Sequence, residues 1–239
     1  QLQQLNEDTT KRIDTIKSIA HQISNGNYKA RLHETSKDGL GSLSGSLNHM
    51  AEALQTSFAL LEDKDWMQTG VATLNDKMVG DKDIGALAKD VLEAVVAHTK
   101  SMVGAFYVLE EDQHLHLASG YALDITNKNQ RIAPGEGLVG QAFLSEKLIL
   151  LEKVPDNEGT ISYATGQTRP NHVVAFPIIR NGLVLGVIEM ATINAYPQRK
   201  LDFMTDVSTN IGIAIYSAQS RKKLQDFLEE TQSQAEELQ

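Results

Sequence analysis

Apolar positions step by four and three through the first third of the chain. Ile13, Ile16, Ala20 and Ile23 make a short stripe, and Leu43, Leu47, Met50, Leu54 and Leu61 make a longer one that Ser57 interrupts. Such spacing places each set on one helix face that must be buried. Asn25-Gly26-Asn27 ends the first helix, because Gly and Asn tolerate the left-handed backbone of a helix C-terminus. Two short amphipathic helices joined by a polar connector cannot fold alone, whereas two copies can make a parallel four-helix bundle. Tyr28, Leu32 and Leu40 are isolated apolar residues of the connector, placed to plug the seam. Helix then continues from Leu61 to about Asp81 through Met67, Val71, Leu74 and Met78. The two stripes slip by one residue: the series Leu47, Leu54, Leu61 next lands on Gln68, and Met67 precedes it. Phase breaks over- or underwind a coiled coil, so the slip beside Asp63-Lys64-Asp65 marks either a mechanical joint or a helix end.

From Ile84 the pattern changes. Ile84, Leu87, Ala88, Val91, Leu92, Val95 and Val96 predict an amphipathic helix ending near Lys100. Ala105–Glu110 and His114–Tyr121 read as strands around the turn Glu111-Asp112-Gln113. A short strand, Leu148–Leu151, follows a helical stretch. Val173–Ile179 and Leu183–Ala191 are the clearest strands, and Asn181-Gly182 between them suits a tight hairpin with positive φ. A last helix runs from about Arg199 to the end, where Leu224, Leu228, Thr231, Ala235 and Leu238 step as a coiled coil. The expected class is α+β and multidomain, with an antiparallel sheet flanked by helices.

Composition narrows the chemistry. The 239 residues carry a net charge of −9, which opposes a nucleic-acid or anionic-membrane surface. There is no cysteine, which removes disulfides, thiolate metal sites and thiol catalysis. No run reaches the roughly twenty apolar residues of a membrane span, since Arg180-Asn181-Gly182 breaks the longest candidate, Val173–Ala191. The start at Gln1, without a signal-peptide pattern, reads as an internal piece of a longer protein. Gly135-Glu136-Gly137-Leu138-Val139-Gly140 has the spelling of a dinucleotide fingerprint. Pro134 precedes it and hairpins surround it, so the glycines are expected to permit a tight helix entry instead. His114 and His116 alternate on one strand face, but no third ligand lies near, so a solvated face is expected rather than a metal site. No catalytic residue, metal or cofactor is predicted.

Asp38-Gly39-Leu40-Gly41-Ser42-Leu43 followed by Leu47-Asn48-His49-Met50 resembles the HAMP domain, the relay beneath the membrane in bacterial receptors. HAMP domains usually carry an acidic residue where Gly39 stands. Gly135-Glu136-Gly137-Leu138-Val139-Gly140-Gln141-Ala142, Ala175-Phe176-Pro177-Ile178 and Gly182-Leu183-Val184-Leu185-Gly186-Val187-Ile188-Glu189 look like a GAF domain. With Asp65-Trp66 and Thr69-Gly70 before it and the coiled-coil tail after it, the whole resembles the membrane-proximal part of hybrid sensor histidine kinases. The resemblance implies a lead-in at 1–8, HAMP at 9–60, a signalling helix at 61–82, GAF at 83–217 and an output coiled coil at 218–239. It implies a homodimer through parallel helices, a transmembrane helix upstream, a histidine kinase downstream and a place on the cytoplasmic side of an inner membrane. A diguanylate cyclase or chemoreceptor-type output is the alternative, with HAMP as dimeriser.

Ile13, Ile16, Ile23, Leu40, Leu43, Leu47, Met50 and Leu54 are then the packing and relay residues. In GAF domains the ligand cavity lies between the sheet and an irregular segment, which makes Tyr121, Arg131, Tyr163, Thr168, His172 and Glu189 candidate pocket residues. Glu189 has apolar neighbours, and a buried carboxylate needs a partner, which Arg131 or His172 would supply. Alternatively, side chains fill the cavity and the domain only dimerises. Asn127-Lys128 and Phe143 match cyclic-nucleotide relatives, but Lys147-Leu148 takes their acidic position, and bilin attachment and methionine-sulfoxide reduction lack their cysteines. The residues therefore leave open both which small-molecule ligand the domain takes and whether it takes one.

Overall fold

The computed structural model describes residues 2–33, 36–123, 130–154, 161–163 and 166–237. Asn127, Lys128 and Leu238 of the sequence reading lie outside them. The chain divides into two compact units, residues 1–66 and 67–239.

In the first unit, α1 (Leu2–Ser24) takes in the expected lead-in without a break. Gly26 adopts φ +92° just past its end, and the Asn27 N–H donates to the Gln22 carbonyl at 2.9 Å. The second helix, α2 (Gly39–Met78), begins in this unit and ends in the other. The sequence reading left the slip between Leu61 and Met67 as either a mechanical joint or a helix end, and the helix does not end there. Helical backbone bonding does not depend on side-chain phase, and residues 56–65 are all exposed, so the slip misplaces no buried group there.

Asp38 caps α2, its Oδ1 accepting from the Gly41 N–H at 2.9 Å. The Arg12 guanidinium grips the same carboxylate with two bonds of 2.8 Å, tying α1 to the start of α2. Those bonds, from Arg12 first and Gly41 next, hold the Asp38 carboxyl well below the usual carboxylate range. A Cβ on Gly41 would lie 1.8 Å from the Ser36 carbonyl oxygen, whereas one on Gly39 meets nothing. Asn48 clamps the connector, accepting from the Leu32 N–H and donating to the Leu32 carbonyl, both at 2.8 Å. Leu32 is thereby buried as a plug, and Tyr28 stacks on Phe58 with ring centres 4.6 Å apart.

The second unit opens with the last turns of α2. A Cβ on Gly70 would lie 2.2 Å from His98 Nε2, so α2 meets α3 (Ile84–Thr99) where it has no side chain. Asp83 caps α3 through the Ala86 N–H at 2.7 Å, and Lys100 ends it in the left-handed region. The strands are β1 (Val103–Leu109), β2 (Leu115–Tyr121), β3 (Arg131–Ile132), β4 (Ile149–Glu152), β7 (His172–Arg180) and β8 (Leu183–Thr192). They pair antiparallel in the order β3-β2-β1-β8-β7-β4, while β5 (Ile161–Tyr163) and β6 (Gly166–Thr168) form a separate pair. Asn181 (φ 51°) and Gly182 (φ 77°) make the β7–β8 turn, as the sequence requires.

Alternation gives the sheet two working faces. Phe106, Phe176, Ile178, Ile188 and Met190 are buried on one, against Leu87, Val91, Leu92 and Val95 of α3 and Phe203, Val207, Ile211 and Ile215 of α5 (Gln198–Glu237). Ser208 fixes α5 to β7, donating to the Pro177 carbonyl at 2.6 Å and accepting from the Ile179 N–H at 3.0 Å. Ala105, Tyr107, Leu115, Ala175, Val184 and Val187 pack on the opposite face with Val139 and Ala142 of α4 (Gly137–Ser145). Gly135 and Gly137 take positive φ at the entry to α4, and a Cβ on Gly140 would lie 2.5 Å from the Ala133 carbonyl oxygen. The glycine string thus serves a tight turn and close packing.

Candidate functional site

β8 lies at the sheet centre, and Glu189 pairs with Ala105 on β1 and Ala175 on β7. All three therefore share the α4 face. The alanines are closed off from water, at 3% and 0% exposure, whereas Glu189 is only half-buried. Protein atoms crowd its carboxyl enough that burial pushes it up to about 7. Among the described residues that carboxyl accepts no hydrogen bond. Tyr107, which pairs with Val187 two residues before Glu189, stands diagonally across from it. Burial first, and the Glu189 charge second, push the Tyr107 phenol up to about 12.

The other candidates do not gather around this acid. Tyr121 has the parity of Leu115 and Leu117, but the β1–β2 register shifts between Phe106 and Tyr107 and pairs it with Gly104. A Cβ on Gly104 would touch Leu92 and Val96 of α3, so the bulge carries Tyr121 to the helix face. Arg131 pairs with His116, which pairs with Val108, also on the helix face. Its Nε donates to Asp112 and its Nη2 meets His114 Nδ1, both at 3.0 Å. His172 pairs with Thr192 and has the parity of Val174 and Phe176. Its Nδ1 is buried without a hydrogen bond among the described residues. Neither Arg131 nor His172 is thus the partner expected for Glu189. Thr168 is half-buried on β6 beside an open cleft of about 680 Å³ with Gln167, Arg169, Asn171 and Ile193. Tyr163 lies on β5, and its side chain is outside the described residues.

His114 and His116 join a polar network at the β1–β2 turn. His116 Nε2 meets Asp112 Oδ2 at 3.0 Å. Partial desolvation opposes ionisation of Asp112, but bonds from His116, the His114 N–H and Arg131 outweigh it and hold the carboxyl at about 2. Among the described residues no group of three His, Asp or Glu side chains can hold a metal ion.

Within one chain the apolar stripe of the first unit is half-covered. Ile16 and Ile23 are buried, at 7% and 2% exposure, while Ile13, Leu43 and Met50 show 37%, 47% and 46%. Leu40, Leu47 and Leu54 are half-buried. The tightest positions of α2 here are Ser44 and Ala51, small residues that the apolar pattern passed over.

Sequence reasoning also missed Arg221. Its Nε meets Asp81 Oδ1 at 3.0 Å and its Nη2 donates to the Lys82 carbonyl at 3.1 Å. Asn210 Nδ2 reaches Asn75 Oδ1 at 3.5 Å. These pairs border a cleft of about 430 Å³ between the end of α2 and the outgoing half of α5, with Met78, Gly80 and Ile213 in its walls. A lone Arg in a polar helix gives no sign of such a bond, because its partners lie 139 and 140 positions away.

Comparison with known proteins agrees with this architecture. A family model described as the GAF domain matches residues 81–215, and one described as the HAMP domain matches residues 8–56. No curated protein matches in sequence. Among solved structures, the GAF domain of a phosphoenolpyruvate-protein phosphotransferase from Coxiella burnetii is 16% identical, with a TM-score of 0.55, over 66% of this chain and 96% of that one. The corresponding Acinetobacter GAF domain is 18% identical, with a TM-score of 0.54, over 68% and 98%. A free methionine-R-sulfoxide reductase from Neisseria meningitidis, 13% identical over 65% and 91%, has a TM-score of 0.53. These likenesses establish the fold. Both are signalling domains, and the order is the one the sequence motifs imply. The chain belongs to the GAF domain family, with a HAMP domain preceding its GAF domain.

Proposed function

We propose that this chain is the relay and sensing module of a transmembrane receptor, passing a conformational change from a membrane helix through its HAMP and GAF domains to a downstream histidine kinase. HAMP domains are membrane-proximal, typically dimerise and link transmembrane to effector domains. The observation that carries the reading is the Arg221 tie, which bonds the turn after α2 directly to α5. α2 enters the GAF domain and α5 leaves it, so a shift of the incoming helix strains bonds at the root of the outgoing one without first remodelling the sheet. Two packings within a few kcal/mol of each other are enough for such a device. The seam of Ile13, Leu43 and Met50, open within one chain, is the surface a second copy would cover.

The test is stimulus-dependent autophosphorylation of the full-length receptor. Arg221→Ala and Asp81→Ala should each uncouple the response while the circular-dichroism spectrum stays unchanged. One residue inserted between Leu61 and Met67 should alter output with both domains folded. An unchanged response in all three variants overturns the relay. A sensor that drives a diguanylate cyclase or a chemoreceptor-type stalk is the second reading, and Glu189 favours its sensing half. Cyclic-dinucleotide synthesis in place of phosphotransfer would establish it.

A further inference from the structure

The outgoing half of α5 has two footholds on the domain. Arg221 ties it to the turn after α2. The other lies at the β1–β2 turn, where Gln219 Nε2 donates to the Leu109 carbonyl at 3.3 Å and Lys223 Nζ meets Glu111 Oε1 at 3.2 Å. An open cleft of about 860 Å³ runs between this turn and α5, with Lys222, Lys223 and Asp226 on the helix side.

The polar network at the turn contains a hydrogen-bonding conflict. His114 Nδ1 lies 3.0 Å from Arg131 Nη2, which can only donate, and 2.7 Å from the Asp112 carbonyl oxygen, which can only accept. A bare Nδ1 takes the Arg131 bond and turns its lone pair on the carbonyl. A protonated Nδ1 takes the carbonyl bond and meets the guanidinium hydrogen with its own. No single protonation state satisfies both neighbours. His116 faces no such choice. Its Nε2 meets carboxylate oxygens, Asp112 at 3.0 Å and Glu110 at 3.9 Å, and an Nε2–H donates to them in the neutral and the charged ring alike.

We propose that His114 is a proton-operated switch at the β1–β2 turn, whose charging releases Arg131 and loosens the grip of the turn on α5. The other charged or titratable groups facing the turn are Glu110, Glu111, Asp112, His116 and Arg131 from the strands and Lys222, Lys223 and Asp226 from α5. Among these residue types imidazole is the one whose ordinary charge change falls between pH 5 and 8. Asp112 does not take the proton, because its bonds hold it ionised. His114 is only half-buried, so solvent supplies the proton to Nδ1. Arg131 Nη2 also reaches Asp112 Oδ2 at 3.0 Å, which keeps β3 anchored when the His114 bond is given up. A positive charge added at the turn repels Lys223 and competes with it for the acidic side chains that hold it. Acid therefore shifts α5 from the sheet foothold toward the Arg221 foothold. The effect on output rests on the relay reading, whereas the switch itself does not.

The test uses the whole chain with Glu189→Gln as background, so that Glu189 adds no titration of its own, and ¹⁵N in the histidine rings. At pH 8 the ring ¹⁵N shifts of His114 should show a bare Nδ1 and a protonated Nε2. At pH 5 both nitrogens should carry hydrogen, and the backbone amides of Gln219 and Lys223 should move in step with the ring. His114→Gln, which cannot charge, should cut that α5 response several-fold, whereas His116→Gln should keep most of it. Arg131→Gln should hand Nδ1 to the Asp112 carbonyl, so that His114 carries an Nδ1–H already at pH 8. An Nδ1 that holds hydrogen at pH 8 with Arg131 in place overturns the proposal. So does an α5 that ignores the ring, or a response that survives His114→Gln. Failure of the relay is read separately, from the Arg221 variants, and would leave a turn that switches without driving output.

Discussion

Among the described residues, the first unit buries four apolar side chains, Ile16, Ile23, Leu32 and Ala51, and relies on polar ties for much of its geometry. Arg12–Asp38 joins its helices, and Asn48 pins the connector. The second unit is a sheet sandwiched between α3 with α5 on one side and α4 on the other, with large side chains such as Phe106, Phe176 and Phe203 at 0–1% exposure. The proposed relay accounts for the contrast: a part that holds two packings cannot fill its seam from within one chain, whereas a domain that passes strain between helices needs a core that does not yield.

The sharpest break in that contrast is a core truncation. Phe176→Ala should cost the second unit about 3–5 kcal/mol, read as one shifted transition in denaturant at any protein concentration. The first unit's transition should move with concentration, since mass action stabilises what a second copy completes. Concentration-independent melting of the first unit would remove the difference.

Glu189→Gln has the next largest effect and the opposite sign. The native carboxyl ionises near 7 and the unfolded one near 4.5, so between those values the native state holds the extra proton. Stability therefore falls as pH rises through that window. E189Q should be more stable than wild type by about 2–3 kcal/mol at pH 8 and nearly equal at pH 4. Matching pH profiles for the two proteins would contradict the burial.

Gly41→Ala drives a methyl into the Ser36 carbonyl and should cost the first unit about 1–3 kcal/mol. Gly39→Ala, in open space, should instead gain about 0.5–1 kcal/mol. Equal effects would show that the connector relaxes freely. Smallest is Arg12→Gln, because Asp38 is exposed and solvent screens the pair. Asp38 is held ionised, so the tie is present at pH 7 and lost as pH falls and the carboxylate protonates. Its effect on the first transition should fade in acid and in high salt.

Much of this was legible in local chemistry. Asn181-Gly182 dictated its hairpin, Asn25-Gly26-Asn27 its helix end and the glycine string its turn, because backbone conformation is set within a few residues. Burial of Glu189 followed from Val187 and Ile188 beside it. What sequence hid was pairing. One extra residue in β2 moves Tyr121 to the other face, and no periodicity in β2 alone announces a bulge whose partner lies on β1. The same holds for Arg131, drawn to Asp112. In α2 the apolar pattern marked the side left open, because Ser44 and Ala51, which pack closest, carry no hydrophobic signal.

Residues 59–65 of α2 are exposed within one chain without interruption, so no buried side chain of that chain fixes the helix there. That makes the stretch a natural splice point. Receptor chimaeras joined there must preserve rotational phase, about 100° per residue, while no packing within the chain has to be redesigned. Lineages could have exchanged sensory heads at such a point by recombination, each new combination meeting an angular requirement before any structural one.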